Sequence, residues 1–183
     1  TAGVMGVSVP AIQGNTVIFP FASGQLLAAD RETGATLWTA QIGGMRIGRA
    51  IANIRDVTGD PVIAGNTVYG GTSSGRINAV ELDSGIEAWS ARDGANSPVV
   101  VAGGSVFAVN DQAELIRLDA ATGGSIWRVQ LPYYTTQRVR RQDRIHAHFG
   151  PVLAGGRLFV VSSDGVMRVF DPEVLMRSFD DLG

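Results

Sequence analysis

Residues 61–89 read PVIAGNTVYGGTSSGRINAVELDSGIEAW, and residues 10–38, 98–127 and 151–179 follow the same template. Each segment ends on a large aromatic residue, and the intervals between these residues are 51, 38 and 52: Trp38, Trp89, Trp127 and Phe179. Three more markers repeat at the same intervals: a first turn glycine (Gly14, Gly65, Gly103, Gly155), a second turn position (Gly24, Gly75, Ala113, Gly165) and an acid (Asp30, Glu81, Asp119, Asp171). A repeat of about 40 residues that is rich in short strands is typical of β-propeller blades.

Each repeat alternates short apolar stretches with turns, which predicts four short antiparallel strands. In the first three repeats a glycine follows a hydroxyl residue ahead of the last strand, and glycine tolerates the positive φ of tight turns. The acid three residues before the hydroxyl can accept hydrogen bonds from the turn. The tryptophan offers a large flat surface to the neighbouring blade. We therefore predict a structural docking motif made of Asp30, Gly34, Trp38, Glu81, Gly85, Trp89, Asp119, Gly123 and Trp127.

The predicted fold is all-β, a single partial β-propeller over residues 1–183 built from four-stranded antiparallel blades. About four blades are present, at residues 7–42, 58–92, 96–131 and 148–181. One sheet cannot bury both of its faces alone, so the blades must stack on one another.

The composition fits a packed globular protein, with 45% hydrophobic and 17% charged residues. A net charge of −2 gives no global field that favours nucleic acid or an anionic membrane. The chain has no lysine, so all 15 basic residues are arginine. It has no cysteine, which excludes disulfides, thiol catalysis and cysteine metal sites.

Two long loops, at residues 43–57 and 132–147, interrupt the repeat between blades. Both occupy equivalent connections, which emerge on the same face of a propeller, and long loops on a rigid scaffold often carry function. Arginine and tyrosine are favoured at protein interfaces. We therefore predict a partner-binding surface that includes Arg46, Arg49, Arg55, Tyr133, Arg138 and Arg141. A solvated loop whose arginines pair with local acids and a small-molecule site are the alternatives.

Other candidate chemistry is weaker. The basic run Arg138–His148 is short for a nucleic-acid site in a mildly acidic chain. His146 and His148 could place two imidazoles on one side of a strand, but a metal needs further ligands and only Asp143 is near in sequence. The stretch Gly70–Arg76 resembles a phosphate loop, but it lies at a strand-to-strand turn, whereas a phosphate cradle is followed by a helix. We predict no catalytic, cofactor, metal or nucleic-acid site.

The pattern Ala-x-Asp-x-x-Thr-Gly-x-x-x-Trp at residues 28–38 resembles the tryptophan-docking motif of quinoprotein (PQQ-like) propellers. One branch of that superfamily, the PQQ-dependent dehydrogenases, shares the blades but uses a vicinal cysteine pair, and this chain has no cysteine. The BamB family resembles the chain essentially end to end. Residues 55–62, RDVTGDPV, are similar to its Ser-Asp-Val-Asp-x-x-Pro-Val segment ahead of a blade.

The resemblance to BamB implies a non-catalytic periplasmic scaffold with an eight-bladed propeller, of which this chain would be a part. It implies docking on a POTRA domain of the barrel-forming subunit of the outer-membrane β-barrel assembly machinery. It also implies a lipid anchor that holds the full-length protein at the periplasmic side of the outer membrane. The implied partner contacts fall on Ala2, Val4, Met5 and Asp56.

Two further expectations remain. The rival interpretation is a fragment of a PQQ-dependent quinoprotein dehydrogenase. In addition, an open half-ring leaves blade faces and strand edges uncovered, so we expect the chain to self-associate.

Overall fold

The computed structural model describes residues 9–21, 23–42, 59–72, 75–135 and 145–173. The regular elements in these ranges are fifteen β-strands. Within the same ranges, no helix has the length and apolar character that a membrane span requires.

The strands form four separate antiparallel sheets in chain order. Sheet 1 contains β1 (Ala11–Gln13), β2 (Thr16–Phe21), β3 (Gln25–Asp30) and β4 (Thr36–Gln41). Sheet 2 contains β5 (Val62–Ala64), β6 (Thr67–Thr72), β7 (Arg76–Glu81) and β8 (Glu87–Ala91). Sheet 3 contains β9 (Val100–Ala102), β10 (Ser105–Val109), β11 (Glu114–Asp119) and β12 (Ser125–Gln130). Sheet 4 contains β13 (His148–Ala154), β14 (Arg157–Ser162) and β15 (Met167–Phe170).

The all-β prediction is confirmed, and each sheet corresponds to one sequence repeat. Sheets 1 to 3 have the four predicted strands, whereas three strands of sheet 4 fall in the described residues. The segment around Phe179, which we predict as its last strand, lies outside those residues. Our limits for the four blades reach beyond the described ranges and stay a prediction.

The turns lie at two opposite ends of each sheet. At one end the β2–β3 turn lies beside the end of β4, where Ile42 N donates to Gly24 O at 2.8 Å. At the other end the β1–β2 turn lies beside the β3–β4 turn, where Arg31 N donates to Asn15 O at 2.7 Å. The connections between sheets start at the first end, which we call the loop end. We call the opposite end the turn end.

Three apolar cores lie between consecutive sheets. Representative pairs are Ile18 with Val68 in the first core, Tyr69 with Val106 in the second, and Phe107 with Leu158 in the third. The first strands of successive sheets also contact one another, β1 with β5, β5 with β9 and β9 with β13. The sheets therefore stack face to face, with their first strands side by side along the inner edge, as blades of a propeller do.

Burial along the strands reflects the position of each sheet in the stack. All five residues of β10 are buried, because sheet 3 has a neighbour on both faces. Strand β14 instead alternates buried residues with more exposed ones, and β2 exposes Phe19 and Phe21, because sheets 1 and 4 are each covered on one face by described residues.

Candidate functional site

Each tryptophan of the repeat contacts the next sheet, at the turn that follows its third strand. Trp38 is buried in the first core, and its Nε1 donates to Leu82 O of sheet 2 at 2.8 Å. The indole also lies against Gly85, where an added Cβ would come within 2.6 Å of the ring. Gly85 has a φ of +70°, so this position favours glycine both for its backbone and for the space that the indole occupies.

The other two junctions repeat the indole hydrogen bond, and the second also repeats the glycine contact. Trp89 Nε1 donates to Ala120 O at 2.9 Å, and a Cβ on Gly123 would lie 2.5 Å from the Trp89 ring. Trp127 Nε1 donates to Pro172 O at 3.3 Å. In all three cases the accepting carbonyl belongs to the residue directly after the acid of the next repeat. The repeat therefore links each sheet to the next through the same indole hydrogen bond, and the first two junctions also share the glycine contact.

The acids of the docking motif accept hydrogen bonds from residues of their own turns. Asp30 Oδ1 accepts hydrogen bonds from Thr33 N and Thr33 Oγ1, both at 2.8 Å, and these bonds lower the pKa of that carboxyl. Asp119 is bonded in the same way by Thr122, whose side-chain and backbone hydrogen bonds lower its pKa. In the second repeat Ser84 Oγ donates to Glu81 Oε2 at 2.7 Å. These carboxylates hold turns at the turn end.

Arg117 lies where the first two repeats have alanine. It connects sheet 3 to the turn that follows the third strand of sheet 4. Its guanidinium lies 5.7 Å from the centre of the Phe107 ring, in cation–π geometry. Its Nη1 donates to Pro172 O at 2.8 Å, the carbonyl that also accepts from Trp127, and pairs with Glu173 at 3.2 Å. The sequence shows Arg117 as a departure from the repeat, but it does not reveal which residues the guanidinium contacts.

The short connection at residues 92–99 is held by a partly buried ion pair that sequence reasoning missed. Arg128 Nη1 and Nη2 donate to the two carboxylate oxygens of Asp93, at 2.8 and 3.1 Å. The Asp93 side chain is 7% exposed, and its hydrogen bond raises the pKa of Arg128. Asn96 N also donates to Val109 O at 3.0 Å. This connection is thereby fixed to sheet 3.

The described parts of the second long loop form a paired stem at the loop end. Tyr134 and Ile145 form an isolated antiparallel bridge, and His146 N donates to Tyr133 O at 2.9 Å. The rings of Tyr133 and Tyr134 meet edge to face, with centroids 4.9 Å apart. We call Tyr133, Tyr134, Ile145 and His146 the loop stem.

A buried histidine anchors this stem to sheet 4. His148 Nε2 lies 2.8 Å from Pro132 O, which can only accept, so Nε2 carries the proton. Nδ1 then accepts from the Ser162 hydroxyl at 2.7 Å, and Ser162 Oγ itself accepts from Arg168 at 2.7 Å. Burial lowers the pKa of His148, which favours this neutral form. Arg168 also pairs with Asp164 at 2.8 Å and lowers the pKa of that carboxyl to about 2.

A cavity of about 290 Å³ lies between the loop stem and the end of sheet 3. Its walls include Asn96, Asn110, Tyr133 and His146. Asn110 is fully buried, and its Oδ1 accepts from the backbone N–H groups of Gln112 and Glu114, both at 2.9 Å. In the part of the chain that the structure describes, no three acids or histidines are grouped as a metal site would require. These polar groups lie in a wall that is mostly apolar and that also includes Ala113, Ile145 and Phe149.

Of the predicted partner-binding residues, Tyr133 is described and lies in this stem. The other nine lie outside the described residues: Ala2, Val4, Met5, Arg46, Arg49, Arg55, Asp56, Arg138 and Arg141.

The chain is similar to a family model and to several curated proteins of one name. The model described as "Outer membrane protein assembly factor BamB" matches residues 1–129 and 73–177. The BamB of Alkalilimnicola ehrlichii is 25% identical over 92% of this chain and 41% of its own length. The BamB of Burkholderia pseudomallei is 28% identical over 85% of this chain and 49% of its own length. The chain thus spans half or less of the relatives that it matches.

Solved structures share the fold. BamB from Moraxella catarrhalis superimposes with a TM-score of 0.78 at 20% identity, over 97% of this chain and 51% of that chain. The computationally designed protein Ika4 gives 0.63 at 16% identity, over 93% of this chain and 95% of its own. A europium-containing methanol dehydrogenase gives 0.55 at 19% identity, over 66% of this chain and 24% of its own. At these identities the likeness concerns the fold alone, whereas the family model covers most of the sequence. The chain therefore belongs to the BamB family of outer membrane protein assembly factors.

Proposed function

We propose that this chain is part of a protein-binding scaffold for outer-membrane protein assembly, and that it does no chemistry. The relatives that it matches are named assembly factors. The observation that carries the proposal is how the polar groups of the repeat are used. The described acids of the docking motif bond their own turns, and the indole N–H groups bond the next sheet. The polar groups of the repeat therefore stabilise the stack of sheets, and the loops are left to bind a partner.

We place the binding surface at the loop end. Both long loops connect sheets at this end, and the loop stem adds two tyrosines beside the cavity. Tyrosine and arginine combine contact area with directional hydrogen bonds, which is why they are frequent at binding hot spots. The proposed surface includes Tyr133 and, from the sequence, Arg46, Arg49, Arg55, Asp56, Arg138 and Arg141, with Val4 and Met5 ahead of sheet 1.

The proposed partner is a POTRA domain of the barrel-forming subunit, at the periplasmic side of the outer membrane. A lipid anchor on the full-length protein would keep it there. Support for this comes from the family, whose members are named for outer membrane protein assembly.

The experiment is a calorimetric titration of the chain with a purified POTRA domain. A variant with Arg46, Arg49, Asp56, Arg138 and Arg141 all replaced by alanine should keep its thermal melt and lose at least tenfold in affinity. The matched control is Arg31→Ala, an exposed arginine at the turn end, which should bind as the wild type does. Equal affinity of both variants would move the interface away from the loop end.

A parallel assay separates the scaffold from a dehydrogenase fragment. The chain is mixed with PQQ and calcium and then desalted. The scaffold interpretation predicts that no chromophore stays with the protein, whereas a retained chromophore and reduction of a dye would favour the dehydrogenase.

A further inference from the structure

His148 ties together the two ends of the second long loop, which runs from residue 132 to residue 147. Pro132 lies just after β12, and its carbonyl oxygen lies 2.8 Å from Nε2 of His148, the first residue of β13. The carbonyl of the next residue, Tyr133, accepts from His146 N at 2.9 Å, so the loop stem begins directly at this contact. A change at His148 therefore acts at the base of the stem.

The His148 ring lies inside the stack, on the face of sheet 4 that packs on sheet 3. His148 is 6% exposed and lies opposite Ser162 in the pairing of β13 with β14. Ser162 shares its face of β14 with Leu158 and Val160, which are buried in the third core between the two sheets. Arg168 lies opposite Val160 and therefore on the same face. The site is thus formed between two sheets that the structure describes.

The hydrogen bonds of this site require a neutral imidazole. Nε2 of His148 donates to Pro132 O, so Nδ1 is left to accept from the Ser162 hydroxyl at 2.7 Å. Ser162 Oγ in turn accepts from Arg168 Nη1 at 2.7 Å. A proton on Nδ1 would turn this acceptor into a donor. Ser162 Oγ would then face two N–H donors, and its own hydroxyl hydrogen would lose its partner.

The charges near the ring also oppose a second proton. Among the described residues, the charged and titratable groups around it are Arg168 and Asp164 of sheet 4, His146 and Tyr133 of the loop stem, and Asp111 at the end of sheet 3. Burial is the largest cause that lowers the pKa of His148, the bond to Pro132 O opposes it, and the charge of Arg168 lowers the pKa further. Asp164 acts in the opposite direction, but it already pairs with Arg168 at 2.8 Å. A proton on His148 therefore places a second positive charge beside Arg168.

We propose that His148 is a positioning residue, which holds the loop stem on sheet 4 in its neutral form and releases the stem when it gains a proton. Release frees the carbonyl of Pro132 and, with it, Tyr133, the described residue of the proposed binding surface. Partner binding at the loop end then weakens as the pH falls below about 6.5, the ordinary pKa of histidine. This last step rests on the proposed function, whereas the release of the stem does not.

The release is tested with a spin label, which can be attached at one engineered cysteine because the chain has no cysteine of its own. Ile145→Cys carries the label in the loop stem, at a position that is 58% exposed. This label should be more mobile at pH 5.5 than at pH 7.5. Ile126→Cys, at a 47% exposed position on sheet 3, is the matched control, and its label should keep the same mobility. Equal mobility of the Ile145 label at both pH values would overturn the proposal.

Two further variants identify the group that titrates. In the Ile145→Cys background, His148→Gln should remove the pH dependence, whatever the mobility of its stem, because glutamine does not titrate. His146→Gln should retain the pH dependence. A label whose mobility still changes with pH in His148→Gln would contradict the assignment to His148.

The effect on binding is measured by calorimetric titration with a purified POTRA domain at the same two pH values. The wild type should bind at least about threefold more weakly at pH 5.5, because only the anchored fraction of the chain binds at full affinity. His148→Gln should bring the ratio of the two affinities close to one, and His146→Gln should leave that ratio unchanged. A ratio that is the same in His148→Gln as in the wild type would overturn the link to binding. Absence of binding at either pH would contradict the proposed function instead, and the spin label would still decide the release of the stem.

Discussion

At the residue scale, the junctions rest on an indole that fits over a glycine of positive φ. Gly85 and Gly34 share this backbone conformation, with φ of +70° and +71°. Gly85 lies under the Trp38 ring, whereas no described residue lies within 4 Å of the equivalent point at Gly34. Alanine substitutions at these two glycines therefore separate two losses of stability. One comes from the backbone conformation and the other from the clash with the indole.

The first prediction concerns Gly85→Ala and Gly34→Ala. Both should lose about 1 kcal/mol from placing a Cβ in the left-handed region. Gly85→Ala should lose a further 1–3 kcal/mol or so, because its methyl group would push against Trp38. Urea unfolding of both variants, at concentrations where the chain is monomeric, measures the difference. Equal losses would contradict the docking role that we assign to Gly85.

The second prediction concerns pH and His148. Its pKa is lowered by burial from the ordinary value of about 6.5, so the unfolded chain binds more protons than the folded chain just below that pH. This group should leave stability unchanged above about pH 7 and reduce it as the pH falls through 6.5. Chemical unfolding from pH 7.5 to 5 measures the slope for the wild type, His148→Gln and His146→Gln. The slope should become shallower in His148→Gln than in the control His146→Gln, and an unchanged slope would contradict the buried neutral form.

Some residue contacts could be predicted from the sequence and others could not. Trp38 and Gly85 could be found because they recur at fixed intervals, and the structure places them in contact. The pair Asp93 and Arg128 could not, because its members belong to different repeats and neither position recurs. A contact between two non-repeating residues leaves no periodic signal.

At the scale of elements, the unit of stability is the junction between two sheets. Each internal junction combines an apolar core with one indole hydrogen bond to the following sheet. The strands themselves are short, from three to seven residues, so stacking rather than strand length must supply most of the stability.

The third prediction is the loss of one such junction. Trp38→Ala, Trp89→Ala or Trp127→Ala should each cost roughly 3–5 kcal/mol, because a large buried side chain is removed and a cavity remains. Denaturant unfolding measures each loss. Melts unchanged by all three substitutions would refute the register of the blades.

The fourth prediction concerns the short connection between sheets 2 and 3. Arg128→Ala leaves the Asp93 carboxylate, 7% exposed, without the partner that holds it. Because Arg128 is itself 41% exposed, we expect a loss of about 1–3 kcal/mol, less than for a fully buried pair. The double variant Asp93→Asn with Arg128→Ala should recover part of it, since no buried charge then remains. A double variant less stable than Arg128→Ala would contradict this reading of the ion pair.

The elements themselves could be predicted well from the sequence, because each turn recurs in at least three of the four repeats. Ala113 shows the strength of this signal: it replaces a glycine of the repeat and still adopts a φ of +56°. The long loops could not be predicted in the same way, since they interrupt the repeat. The bridge between Tyr134 and Ile145 follows from pairing across a loop, which no local pattern encodes.

At the scale of the whole molecule, the stack separates frame from surface. The turn end holds the acids and glycines of the docking motif, while the loop end holds the stem, the cavity and the connections between sheets. Family membership follows from the sequence as a whole, whereas the predicted partner-binding residues lie mostly in loops that interrupt the repeat. This is why the fold could be argued from the sequence more completely than the binding surface.

We propose that the loop end binds a POTRA domain, and hydrogen–deuterium exchange on the complex is the decisive test. Exchange is measured for each amide with and without the domain. We predict slower exchange in the loop stem, around Tyr133 and His146, and in the two long loops, with no change at the turn end around Arg31–Gly34. Protection at the turn end or along the outer strands β4, β8 and β12, with none at the loop stem, would contradict the account.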